Sequence, residues 1–84
     1  MTHELKTWPE FFEDILSGKK NFEARKDDRV FRVGDILVLE EYELGEYSGR
    51  KIEVEVTYKL HGGSFGIEKG YCVLAIKPIE LKDM

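Results

Sequence analysis

The sequence predicts an α+β domain in which one N-terminal helix lies beside a small, curled β-sheet. Three observations predict this fold. A helix-start pattern occurs at Thr7–Glu10, and apolar and polar residues alternate over Lys51–Tyr58. Six of the eight glycines lie from Gly45 onward, where they separate short apolar segments. Because open sheet edges promote association, we expect the sheet to close into a small β-barrel.

The helix is predicted from its ends and its apolar stripe. Thr7 is placed to cap the first turn, Glu10 follows three residues later as in a capping box, and Pro9 suits a position that needs no amide donor. Gly18 is the expected C-terminal end. The stripe consists of Phe11, Phe12, Ile15 and Leu16. A helix of about ten residues is unstable alone in water, so the stripe must pack against the sheet.

Five segments have strand patterns. Lys51–Tyr58 alternates as a strand with one solvated face does, and Ile36–Leu39 is a continuous apolar run. The others are His3–Thr7, Phe22–Lys26 and Tyr71–Ile79. The polar, glycine-bearing segments 43–50 and 61–70 are predicted to be loops. We therefore expect a single domain over residues 3–79 and a C-terminal tail over residues 80–84.

Length and charge exclude several classes of protein. A chain of 84 residues allows one domain, and 13 basic against 17 acidic residues give a net charge of −4. This balance excludes a strongly basic nucleic-acid coat, so any nucleic-acid contact must come from a local patch. No segment approaches the roughly 18 apolar residues of a membrane span, and no signal peptide or membrane contact is expected. A single cysteine, Cys72, makes no internal disulfide, which favours the cytoplasm.

The densest polar segment is Gly18–Arg29. Strand alternation places Glu23 and Arg25 on one face, with Lys20 near that face at the end of the helix. These side chains either line a polar pocket or form weak salt bridges on a solvated strand face. Surface ion pairs are common and contribute little, so the residues alone favour the solvated face.

Trp8, the only tryptophan, lies where the first strand meets the helix. It is either a stacking platform for a base or a hydrophobic staple against Phe12, and the residues alone favour the staple. Lys6 lies on the same side of the strand as Trp8, where it contacts a phosphate or is solvated.

No metal or cofactor site is predicted. The soft ligand candidates His3, His61 and Cys72 lack the paired spacing of a zinc site. The glycine-rich segment His61–Gly66 matches no phosphate-binding motif and is interpreted as a connection between strands.

Gly18–Arg25 resembles the G-x-K-x-x-E-x-R signature of ASCH domains, which are relatives of the PUA RNA-binding fold. Phe31–Ile36 is similar to the V-G-D segment of that family. His3–Trp8, Gly62–Ile67 and Gly70–Val73 resemble a small bacterial and phage branch of unknown function, DUF3850. The resemblance covers nearly the whole chain.

The resemblance implies a PUA-like barrel with a cleft beside the helix that holds RNA or a nucleotide-like ligand. The expected binding residues, of which Lys20, Glu23 and Arg25 occupy signature positions, are Lys6, Trp8, Lys20, Glu23, Arg25 and Lys26. Six of the thirteen cations lie within fourteen residues, which favours this binding function: Lys19, Lys20, Arg25, Lys26, Arg29 and Arg32.

The alternative function is that of a small amidohydrolase acting on an acylated nucleoside such as N4-acetylcytidine. Some ASCH relatives have this activity and use the signature lysine, a threonine three residues later and a downstream glutamate. Here Glu23 stands at the threonine position, so an enzyme would use Lys20 and Glu23 as an acid/base pair with Arg25 orienting the substrate. A third interpretation, a protein-interaction domain, rests on the acidic residues Glu40, Glu41, Glu43 and Glu46.

Overall fold

The structure is a computed structural model that describes residues 1–79. Its elements are β1 (Thr2–Thr7), α1 (Pro9–Leu16), β2 (Phe22–Lys26), β3 (Ile36–Glu43), β4 (Glu46–His61) and β5 (Tyr71–Pro78). The α+β class is confirmed, with one short helix and five strands, each of which overlaps one of the predicted segments. The predicted tail, residues 80–84, lies outside the described residues.

The five strands form one sheet in the order β1-β3-β4-β5-β2, in which β1 pairs parallel with β3 and the other neighbours are antiparallel. The sheet curls like a half-barrel and brings its two edges, β1 and β2, within side-chain reach. Arg25 Nη2 on β2 donates to the Lys6 carbonyl at 2.7 Å, and Arg29 Nη1 donates to the Glu4 carbonyl at 2.9 Å. Arginine side chains therefore bridge this seam.

The core lies between the curled sheet and α1. Alternate residues of the strands point inward, and the largest fully buried strand side chains are Leu37, Leu39, Val54, Val56, Cys72 and Leu74. From α1, Phe12 and Ile15 are buried at 1% and 2% exposure. Burial of a large apolar side chain contributes about 1.5–3 kcal/mol to stability. This packing holds in place a helix that is too short to be stable alone.

The start of α1 differs from the predicted capping box. The N-cap residue is Trp8, which has extended backbone angles and makes no side-chain cap. Thr7 is still the last residue of β1, and strand alternation turns its side chain inward, where it is 3% exposed. Its Oγ1 has no hydrogen-bond partner among the described residues. At the other end the prediction is correct, since Gly18 has φ 81° and its N–H donates to Ile15.

The segment predicted as a loop over residues 43–50 is mostly strand. β3 and β4 are joined by a two-residue turn at Leu44 and Gly45, which both have positive φ (52° and 82°). Such a turn matches the twist of the strands it connects. The sequence here is polar because the hairpin extends beyond the core, and Leu44 at its tip is 94% exposed.

Asp35 anchors the segment before β3 to β1. Its carboxylate lies 2.9 Å from His3 Nε2 and accepts the Arg32 backbone N–H at 3.1 Å and the Met1 amino group at 3.1 Å. Burial raises the pKa of Asp35, but these hydrogen bonds outweigh it and lower the pKa to about 2.

Asp35→Asn should therefore make the free energy of unfolding depend less steeply on pH in the acid range. Because the folded pKa of about 2 lies below the usual 3.8, the ionised carboxylate stabilises the fold above pH 3.8, and this contribution is lost as the pH falls toward 2. Urea denaturation at a series of pH values from 6 to 2 measures the effect. An equally steep loss of stability in the variant and the parent would contradict it.

Candidate functional site

A hollow of about 270 Å³ lies where β1 runs into α1, beside β2. We call it the cationic hollow; its lining residues are Lys6, Thr7, Trp8, Phe11, Glu23, Ala24, Arg25 and Lys26. Five of the six residues predicted from the sequence to bind a ligand therefore share one concavity. The sixth, Lys20, contacts Glu23 directly.

The two faces of β2 are distinct in burial. Glu23 is 4% exposed, whereas Phe22 is 45% exposed and Ala24 is also exposed. The alternation predicted for this strand is correct, and its polar face is the sheltered one. The solvated strand face favoured by residue statistics is wrong for Glu23, because the inward positions of this edge strand meet the hollow beside α1.

Glu23 is held between two cations. Lys20 Nζ lies 3.2 Å from its Oε1, and Arg25 Nε lies 3.0 Å from its Oε2. The side chains of Lys20, Arg25 and Glu23 are 15%, 24% and 5% exposed, respectively. An ionised carboxylate has about four acceptor positions, so two contacts leave it able to accept further hydrogen bonds.

The ammonium group of Lys20 is fixed by more than Glu23. Its Nζ donates to the Phe22 carbonyl at 2.8 Å and lies 5.3 Å from the centroid of Phe11 and 4.9 Å from that of Phe22. Contacts of this kind attract an ammonium group to the faces of aromatic rings. Lys20 therefore acts in this arrangement as a positioned positive charge.

Arg25 connects the hollow to the seam of the sheet. Its Nε contacts Glu23, while its Nη2 donates to the Lys6 carbonyl on β1. One guanidinium group thus holds the two edge strands together and sets the position of the buried carboxylate.

Trp8 presents an exposed aromatic surface at the hollow. It is 66% exposed and stacks on Phe11, with ring centroids 5.8 Å apart and an interplanar angle of 6°. The predicted staple against Phe12 is wrong, because Phe12 is 1% exposed and points into the core. Trp8 is the N-cap residue, and its side chain lies over Phe11, three positions later in the chain, rather than over Phe12, four positions later.

A second hollow, of about 500 Å³, shares Trp8 with the first. We call it the acidic hollow; it is lined by Trp8, Pro9, Glu10, Tyr42, Glu43 and Leu44. The sequence showed the acidic residues of the β3–β4 segment, but it did not show that the hairpin brings Glu43 beside the first turn of α1. Lys6 Nζ lies at the boundary, 4.5 Å from the ring centroid of Tyr42.

Glu41 belongs to a structural network on the hairpin side of α1. Arg50 Nε and Nη2 contact its carboxylate at 3.0 and 2.9 Å, and Ser48 Oγ donates at 2.6 Å. Arg50 also contacts Glu13 on the helix. These hydrogen bonds, first those of Arg50, lower the pKa of Glu41 to about 2, so this carboxylate fixes the hairpin against α1.

The glycine-rich segment before β5 does not line the cationic hollow. Phe65 in this segment is 86% exposed with φ 56°. Within residues 1–79, no group of three or more His, Cys, Asp or Glu side chains is placed to hold a metal ion. In the same range, no helix has the length and apolar character needed to cross a membrane.

The model of a protein family described as a domain of unknown function, DUF3850, matches residues 2–76. This chain belongs to the DUF3850 family. The DUF3850 domain is 44% identical over 55 residues to an uncharacterized 12.9 kDa protein in the GpA 3′ region of Escherichia phage P2. That match covers 66% of this chain and spans half the length of the phage protein.

A solved structure has the same fold as this DUF3850 domain. The crystal structure of hypothetical protein PH0355 matches with a TM-score of 0.70 and 24% sequence identity, over 94% of this chain and 100% of the other. At this identity the match shows the fold alone. The curled sheet with one short helix is therefore an architecture that occurs in an experimentally determined structure.

Glu23→Ala should destabilise the DUF3850 domain strongly. Removing the carboxylate leaves Lys20 and Arg25 without their shared anion, and breaking a buried ion pair in this way costs about 3 kcal/mol. The free energy of unfolding from urea denaturation measures the loss. Glu55→Ala, an exposed glutamate on β4, is the matched control and should change stability by at most about 0.5 kcal/mol. Equal losses in the two variants would contradict a structural role for Glu23.

Proposed function

We propose that this DUF3850 domain is a binding module for a nucleotide or a nucleotide unit of RNA, held in the cationic hollow. The observation that carries the proposal is the buried Glu23 carboxylate, paired with Lys20 and Arg25, next to the exposed ring of Trp8. The same three charged residues occupy the signature positions of ASCH domains. We include membership of that PUA-like superfamily, and a cytoplasmic location, in the proposal.

The base would be recognised by stacking and by hydrogen bonds. An exposed indole that is braced by Phe11 at 5.8 Å offers a rigid surface at low entropic cost. Stacking of a base on such a ring contributes about 1–3 kcal/mol. The unused acceptor positions of Glu23 suit the N–H groups on the edge of a base. Glu23 would therefore accept hydrogen bonds from the base while it stays paired with Lys20 and Arg25.

The phosphate would be bound by the cations of the walls. Lys6 and Lys26 line the hollow with exposed side chains, and a guanidinium has five N–H donors, of which Arg25 uses two on Glu23 and Lys6. Because these contacts displace counterions, affinity should fall as salt rises. A local cationic surface of this kind is compatible with the net charge of −4.

The amidohydrolase alternative rests on one observation, the 3.2 Å contact between Lys20 and Glu23, of which only Glu23 lines the hollow. Two features favour binding over catalysis. Lys20 Nζ donates to two oxygen acceptors at once, and Glu23 replaces the threonine nucleophile of the ASCH amidohydrolases. Release of cytidine from N4-acetylcytidine by the domain, abolished in Lys20→Ala, would establish the enzyme instead.

Trp8→Ala should weaken nucleotide binding by about 1–3 kcal/mol because the stacking surface is lost. Isothermal titration with nucleoside monophosphates and short single-stranded RNAs at low salt measures the affinity. Tyr58→Ala is the matched control, since Tyr58 is 65% exposed and lies outside the hollow. Glu23→Gln, which keeps the shape of the side chain but replaces one acceptor by a donor, should also weaken binding.

Two results would contradict the proposed function. One is the absence of binding to every nucleotide and RNA tested with the parent domain. The other is binding that Trp8→Ala and Glu23→Gln leave unchanged in variants whose circular dichroism shows that they are folded at the temperature of the titration.

A further inference from the structure

Trp8 lines both the cationic hollow and the acidic hollow. The other charged residues of the cationic hollow are Lys6, Arg25 and Lys26, together with Glu23, which is paired with Arg25. The charged residues that line the acidic hollow are Glu10 and Glu43. A ligand stacked on Trp8 would therefore lie next to cations in one hollow and next to carboxylates in the other.

The negative environment continues along the hairpin. A further hollow of about 260 Å³ shares Pro9 and Glu43 with the acidic hollow and is also lined by Glu46. Within residues 1–79, no ion pair joins Glu10, Glu43 or Glu46 to a cation, whereas Glu41 is paired with Arg50. The two hollows next to the hairpin are therefore lined by carboxylates, those of Glu10, Glu43 and Glu46, that have no ion-pair partner in the described part of the chain.

A nucleic-acid strand carries one negative charge per nucleotide, so a strand that crossed Trp8 would place a phosphate near Glu10 and Glu43. Charges within about 8–10 Å of each other are only partly screened at physiological salt. Each such contact is unfavourable, and Lys6, whose ammonium group lies over the Tyr42 ring at the edge of the acidic hollow, forms no ion pair with either glutamate within residues 1–79. A strand would thus be repelled at the acidic hollow and attracted at the cationic hollow.

We infer that the ligand of the cationic hollow is a mononucleotide or the terminal nucleotide of a strand, and that Glu10 and Glu43 determine this specificity by excluding a continuing phosphate backbone. The inference rests on the proposed function and adds the class of ligand to it. In this arrangement the chain of a terminal unit would leave the hollow on the side of Lys26, and its free end would face the glutamates.

A comparison of a linear single-stranded RNA with a circular RNA of the same sequence tests this inference. The circular molecule offers bases and phosphates but no end. We expect the parent domain to bind a nucleoside monophosphate and the linear RNA, and to bind the circular RNA about fivefold more weakly at low salt, because a phosphate about 8 Å from each of the two glutamates in water loses somewhat more than twofold in affinity to each of them.

The double substitution Glu10→Gln, Glu43→Gln should remove the discrimination. Affinity for the circular RNA should rise about fivefold toward that for the linear RNA, while affinity for the mononucleotide should change much less. Glu53→Gln, Glu55→Gln makes the same change in net charge at exposed positions on β4, outside all three hollows. This control should leave the ratio of circular to linear affinity unchanged.

The outcomes separate the two claims. If the mononucleotide binds through Trp8 but linear and circular RNA bind equally well in the parent and in both double variants, the inference is wrong and the proposed function stands. If none of the three ligands binds the parent, both are wrong. If the two double variants raise circular RNA affinity equally, net charge rather than the position of Glu10 and Glu43 is responsible, and the inference is again wrong.

Discussion

The rest of the site depends on one interaction, the carboxylate of Glu23 buried between Lys20 and Arg25. Arg25 uses a second nitrogen to hold the Lys6 carbonyl across the seam, so the same guanidinium positions the acid and closes the sheet. A buried ion pair adds little stability relative to apolar packing, although breaking it is costly. Its role here is geometric, because it keeps a hydrogen-bond acceptor at the wall of the hollow, which an exposed tryptophan also lines.

The charge distribution explains how an acidic protein can present a cationic site. The net charge is −4, but the carboxylates of Glu10 and Glu43 and the cations of β1 and β2 line two different hollows that share Trp8. Electrostatic attraction of an anionic ligand is therefore local and directional rather than a property of the whole surface. The paired Glu41 holds the hairpin against α1 through Arg50.

Much of the fold and site follows from local sequence patterns. Alternation identified β2 and the central part of β4 and placed Glu23 and Arg25 on one face of β2, and Gly18 marked the end of α1. Non-local effects could not be predicted in this way. Whether the polar face of β2 points inward depends on where β1 and α1 leave a gap, and the position of Glu43 beside α1 depends on the hairpin that Leu44 and Gly45 form.

The most direct test of the account is a crystal structure of the domain with a bound nucleoside monophosphate. We predict that the base stacks on Trp8, that one of its N–H groups donates to Glu23, and that the phosphate lies on the side of Lys26. A nucleotide bound on the outer face of the sheet, at Phe22 and Tyr58, with the cationic hollow left unchanged, would contradict the central role of the Glu23 carboxylate.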